Sequence, residues 1–298
     1  MAFRVKGLLA AYSAITVWAL GLVLIKYLAC YFQVFSQNFY RYSSAALTLL
    51  LLANSTGKGG GLFKRELLCR LLLPAFLVFL FQNAVVTGIY LTSTITAALI
   101  LRLNVVLVNL FAYVLFREER RLIASKYYLL GFTLSLLGVV GVTLGGSSCE
   151  DYGFTIDMGA SLVLLGTLFW ALYLVSIKKL LAKNDPLSLS SIVFTESSIL
   201  FFPLAMYSNG LKEIFYAPPE VIAILFFSGA LSVGLGNWMN YIAIRELGVA
   251  LPSTLGLLTP LLTAIFSYLL LGEMLTARQV IFGGLIILGC LLVLLRGD

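Results

Sequence analysis

The chain has 298 residues, of which 61% are apolar and 11% charged, with a mean hydropathy of +1.03. Soluble domains are roughly half apolar and about a quarter charged, so this composition excludes a soluble fold and predicts a polytopic, all-α integral membrane protein. The net charge of +7 has no basic stripe or soluble domain to carry it, so it points to no nucleic-acid partner. The absence of histidine removes histidine catalysis and histidine metal ligation together.

A spanning helix needs about 20 mostly apolar residues. Ten such runs are predicted, at 7–28, 34–53, 71–91, 95–116, 126–145, 159–181, 188–207, 221–243, 250–271 and 277–295. The first follows Arg4 and Lys6 in the manner of a signal peptide. It is too long for one and lacks a small-residue cleavage site, so it is expected to be retained. Run two carries Arg41, and run three carries Gln82, Asn83 and Tyr90. Run four carries Arg102, Asn104 and Asn109 and ends at Arg117-Glu118-Glu119. Run five holds the Gly141/Gly145 pair, whose spacing suits close helix packing and allows either a monomer or a homodimer. Run seven holds Glu196, run eight Asn237, Trp238, Asn240 and Tyr241, and run nine Pro252 and Pro260.

Lysine and arginine placement predicts orientation. With the N-terminus inside, inner segments carry fifteen of these residues and outer ends three. Both termini are therefore expected in the cytoplasm, and a prokaryotic plasma membrane is the expected location.

Trp18–Leu28 reads WALGLVLIKYL and returns at Trp170–Leu180 as WALYLVSIKKL, 152 positions later. Glu118 is answered by Glu273, and Ser43-Ser44 by Ser197-Ser198. The expected division is 1–146 and 147–298, five helices each. Because five is odd, the second copy enters from the opposite side, giving a 5+5 inverted repeat of the kind secondary transporters use.

On these residues the chain resembles the drug/metabolite transporter superfamily in its ten-helix EamA class. The resemblance rests on Trp18 and Trp170 near the first helix of each half, on Glu118 and Glu273 closing each fourth helix, on Pro260 in LLTPLLTAIFSYLLLGE, and on the Gly-rich fifth helices. The first half departs from the pattern, with Val105 where the second has Pro260. The resemblance implies a cavity lined mainly by helices one to four and six to nine, and transport by alternating access without ATP.

A charge within the bilayer is costly and should face a cavity or a partner. Arg102 is thus either a contact for a substrate carboxylate or phosphate or the partner of Glu196. Glu196 is the candidate for a coupling proton, a substrate amine or a structural pair. Arg41 lies at the place pseudo-symmetric to Glu196, and either lines the cavity or snorkels outward. Trp18 and Trp170 either pack helices or form apolar wall, with Tyr90, Trp238 and Tyr241 adding aromatic surface. Asn83 and Asn237 should point inward, and Pro252 and Pro260 are candidate bending points. Glu118 and Glu273 are expected to be structural or gating residues. No Walker motif or paired catalytic acids occur, so neither an enzyme nor a cofactor is expected.

The function read from this pattern is secondary transport of a small polar molecule, with amino-acid export or exchange expected first. An organophosphate or nucleotide-sugar exchanger is the alternative, and a non-transporting scaffold or lipid-handling protein the reading from another class. Besides the substrate, the expected partner is the lipid bilayer.

Overall fold

The computed structural model describes residues 2–58, 65–91, 94–145, 158–272 and 276–295. The described residues are helical throughout, without strands. In hydrocarbon no water satisfies the backbone, so apolar runs must close their hydrogen bonds within themselves. The elements in order are α1 (Ala2–Leu28), α2 (Val34–Ser55), α3 (Arg65–Leu91), α4 (Thr94–Leu115), the short α5 (Arg117–Ile123), α6 (Lys126–Gly145), α7 (Met158–Leu181) and α8 (Pro186–Tyr207). After a 3-10 turn, Gly210–Phe215, one path runs through α9 (Pro219–Ser228), a π-helical segment (Gly229–Leu235) and α10 (Gly236–Leu247). Another runs through α11 (Ala250–Leu255), a 3-10 turn (Gly256–Leu258) and α12 (Thr259–Leu271). The last is α13 (Ala277–Leu294).

Among the described residues, eight stretches are long and apolar enough to cross a membrane, and Ile100–Leu115 of α4 is a shorter apolar helix. The other expected crossing, α2, has 22 residues but is diluted by Gln37, Asn38 and Arg41 and is not among the eight. The protein is an integral membrane helix bundle.

Local chemistry sets the helix ends. Asp185 accepts from the N–H groups of Leu187 and Ser188, and Pro186 follows at the first helical position of α8, where a missing N–H costs nothing. Thr276 and Gln279 form a reciprocal capping box on α13. Gly248 (φ +83°) ends α10, and Gly272 (φ +69°) ends α12. Pro260 removes the N–H that would bond the Gly256 carbonyl. That carbonyl instead accepts from the Thr259 hydroxyl at 2.7 Å, and the backbone tightens to a 3-10 turn there. The residues from Pro252 to Pro260 thus break one helical path in two.

The core lies between elements distant in sequence. α6 packs along α13, α3 along α7, α2 along α8, and α1 along α10. Gly141 faces the Phe282 ring of α13. That glycine therefore serves packing within one chain.

Candidate functional site

A cavity of about 350 Å³ opens between α1, α2, α3, α4, α7, the π-helical segment, α10, α11 and the turn after it. Arg41 reaches it from α2 and is only 3% exposed. Its Nε donates to Ser228 Oγ at 3.2 Å and its Nη2 to Ser232 Oγ at 2.9 Å. Both serines belong to the irregular path: Ser228 ends α9, and Ser232 lies in the π-helical segment. α2 and this segment meet backbone to backbone, since a Cβ on Gly229 would lie 2.7 Å from the Arg41 Cα. Only glycine permits that approach.

Arg102 enters the same cavity from α4. It has no hydrogen bond and no ion pair with any described residue. Among the described residues, no Asp or Glu lines the cavity. A guanidinium in the bilayer interior ordinarily finds an anionic partner. Here the described residues supply hydroxyls to one arginine and no hydrogen bond or ion pair to the other.

Around the two cations the wall is largely apolar. Trp18 and Trp170 both line it, edge to face with ring centroids 6.3 Å apart. Gln82 lines it while donating to Asn38 Oδ1 at 3.0 Å. Asn104, Asn237 and Asn240 lie on the wall, each with one buried amide atom lacking a hydrogen-bond partner; for Asn104 and Asn237 it is Oδ1. Such orphaned groups are costly unless a ligand or water meets them.

Of the residues singled out from sequence, Arg41, Arg102, Trp18, Trp170, Asn237 and Pro252 meet at the cavity. Glu196 does not. It sits on α8 off the wall, its Oε2 is buried without a partner, and it pairs with neither arginine. The alternative of an Arg102–Glu196 ion pair is therefore corrected: no ion pair joins the two. Tyr241 is fully buried, and its hydroxyl meets that of Tyr173 at 2.6 Å. Trp238 packs against the core. Asn83 donates back to the Phe79 carbonyl at 2.8 Å. None of these three lines the cavity, nor does Pro260. The Tyr90 side chain and Glu273 lie outside the described residues. Sequence reasoning did not single out Tyr42, Ser232, Ser253, Gly256 and Thr259, all on the wall. Their signal in sequence is proximity to Arg41 for Tyr42, and to Pro252 and Pro260 or the Gly229/Gly234/Gly236 run for the others.

A second polar cluster closes the bundle beyond one end of the cavity. Glu119 accepts from the N–H groups of Val249 at 3.0 Å and Ala250 at 2.7 Å, capping α11. Lys178 of α7 pairs with Glu119 and, at 3.0 Å, with Glu118, and its ammonium lies 3.7 Å from the Phe116 ring centroid. Hydrogen bonds from its own backbone N–H and from Lys178 hold the Glu118 carboxyl below its ordinary pKa. Between this knot and the cavity, the Tyr128 hydroxyl bonds Asn109 Oδ1 at 2.5 Å and Thr254 Oγ1 at 2.6 Å. Elements from the start of the chain are thereby tied to α11. No described His, Cys, Asp or Glu residues group into a metal site.

The EamA-like transporter family matches the chain twice, over residues 5–144 and 157–295. A protein of Haemophilus influenzae named as an uncharacterized transporter is 25% identical, covering 93% of both chains. The uncharacterized transporter YyaM of Bacillus subtilis is 26% identical over 90% of this chain and 87% of its own. An uncharacterized transporter of Methanothermobacter thermautotrophicus is 29% identical over 82% and 69%. A solved crystal structure superposes with a TM-score of 0.79, covering 98% of this chain and 97% of that one. At its 16% identity this likeness speaks for the fold alone. The family's match spans nearly the whole helix bundle: the chain belongs to the EamA-like transporter family.

Proposed function

We propose that the protein is a secondary carrier of small organic anions, with the substrate's carboxylate or phosphate held between Arg41 and Arg102. The observation that carries this reading is a pair of intramembrane arginines on one cavity wall, with no carboxylate among the described residues of that wall. A guanidinium binds either group through two parallel N–H donors. An anion would also relieve the electrostatic cost of keeping two cations in a low-dielectric site. Of the substrate classes expected from sequence, this favours the organophosphate-like one. Amino-acid transport is the second reading. Its support is the unpartnered Oδ1 atoms of Asn104 and Asn237, which offer acceptors for an ammonium now that Glu196 is off the wall.

The halves 1–146 and 147–298 would work as an inverted repeat under alternating access. The double family match at 5–144 and 157–295 supports that division. The knot of Glu119, Lys178 and the α11 N-terminus supports a conformation closed at its own end. The lysine and arginine distribution assigns that end to the cytoplasm, and the bacterial and archaeal relatives suit a plasma membrane.

The test is thermal stabilisation of the purified protein by a panel of amino acids, sugar phosphates and nucleotide sugars. A ligand at 100 times its Kd should stabilise by about 2.7 kcal/mol. Shifts from phosphorylated ligands that vanish in Arg102→Ala are expected. Shifts from zwitterionic amino acids alone would install the second reading, and shifts that survive Arg102→Ala would remove this arginine from the site.

A further inference from the structure

Arg102 also lines a second cavity. A groove of about 300 Å³ runs between α4 and α6, walled by Ile100, Leu103, Val106, Leu136, Val139 and Val140. Among the described residues, Arg102 is the one polar residue on its wall, and the one it shares with the central cavity. Leu103 and Val140 are exposed on the bundle surface, so the groove faces the bilayer. Its walls suit hydrocarbon and offer nothing to a polar molecule. Beside these walls stands a cation with no hydrogen bond or ion pair to any described residue.

The geometry points to a lateral binding site for an anionic amphiphile, its charged head on Arg102 and its hydrocarbon tail lying between α4 and α6. This rests on the anion-carrier reading and names a substrate class for it. The occupant follows from charge and polarity together. A small anion satisfies Arg102 but leaves an apolar groove beside it. The tail of an ordinary membrane lipid fills the groove but leaves its phosphate at the membrane surface, away from Arg102. A molecule with both parts meets both features, and its tail passes from groove to bilayer without crossing water. The amide oxygens of Asn104 and Asn237 on the other side of α4 would accept hydroxyl or amide donors of the head.

The experiment measures binding of inorganic phosphate and a series of n-alkyl phosphates, butyl to decyl, to the protein in phosphatidylcholine nanodiscs. Burying each methylene in the groove should tighten binding by about four-fold until it is full. Val140→Trp and Leu103→Trp place bulk in the groove from two exposed positions. In both, the chain-length dependence should flatten while inorganic phosphate, which has no tail, binds within about two-fold of wild type. An unchanged dependence in these variants would mean that the tail lies elsewhere in the bilayer, and would overturn the groove site while leaving the anion reading intact. If no member binds, inorganic phosphate included, both readings fail together; if binding survives Arg102→Ala, the groove site fails and this arginine leaves the anion site. Decyl phosphate with a terminal diazirine provides a check on unmodified protein. Crosslinks at 100–106 and 136–140 are expected, and crosslinks confined to other helices would refute the site.

Discussion

Glu119→Ala should be among the most damaging substitutions outside the cavity. The carboxylate is 5% exposed and Lys178 12%. Removing it strands a buried ammonium and the N–H groups of Val249 and Ala250, which it holds at 3.0 and 2.7 Å. Breaking a buried ion pair from one side costs about 3–5 kcal/mol. Lys178 retains Glu118 at 3.0 Å, and that carboxylate is 67% exposed, so the lower end, about 3 kcal/mol, applies. At roughly 2–4 °C per kcal/mol, Tm in detergent should fall by at least about 6 °C. Glu118→Ala, at the exposed end of the same network, should cost about 0–1 kcal/mol. The double variant Glu119→Leu/Lys178→Met removes both charges and should cost less than the two singles added, by about 1–3 kcal/mol. Because the knot ties α4, α5 and α7 to α11, Glu119→Ala should also raise cysteine-labelling rates at Ser253→Cys from the Glu119 side. The reasoning is refuted if Glu119→Ala matches Glu118→Ala in Tm, or if the double-mutant costs simply add.

Three other outcomes follow from the packing. Burial alone would raise the Asp185 pKa, but the Lys58 ion pair at 2.6 Å and the α8 N–H groups outweigh it, so the folded value is depressed. Its stabilisation is therefore complete above the ordinary carboxylate value and is lost as pH falls below it. Asp185→Asn should remove that acid-side step from a Tm–pH profile, and Asp185→Ala should cost about 1 kcal/mol at neutral pH. Gly131→Ala would put a methyl group 2.8 Å from Val293 and against the Gly289 carbonyl, so the tight α6–α13 contact should loosen by about 1–3 kcal/mol, read as a lower Tm. Tyr173→Phe leaves the buried Tyr241 hydroxyl, now at 2.6 Å, unpaired and should cost about 1–3 kcal/mol. Tyr173→Phe/Tyr241→Phe removes both groups and should recover part of that loss, which thermal denaturation of the three variants would show.

How much of this was legible in the sequence depended on what each residue costs in a membrane. Arg41, Arg102 and Asn237 stood out because polar groups in apolar helices demand partners, and all three reach the cavity. Ser253 and Thr259 did not stand out, because a hydroxyl can satisfy itself within its own helix. They bond the carbonyls of Val249 and Gly256 at 2.7 Å each, so their presence carries no sign of a cavity. Glu196 shows the opposite failure. Its charge was as visible as that of Arg102, but polar and apolar residues are spread evenly around its helix and give no preferred face. Only the packing of α8 on α2 and α3 decides that its carboxylate points away from the wall.

The Arg-Glu-Glu stretch shows the limit most finely. Alignment with the second half singled out Glu118 as the acid that closes its helix. In the bundle Glu118 is the exposed one, and its neighbour Glu119 caps α11 and meets Lys178. One residue along a helix is a turn of about 100°, enough to exchange water for a buried helix terminus. Sequence spacing located the acid pair at the closing end of the bundle. Which member turned inward was settled by where α11 begins, and that position is set by a glycine with φ +83°, Gly248, whose own Cβ would lie 2.9 Å from the Glu119 carboxyl carbon. Glycine at this position and glutamate at 119 therefore depend on each other across 129 residues, and a substitution at Gly248 should mimic Glu119→Ala by displacing the carboxylate from its two N–H donors.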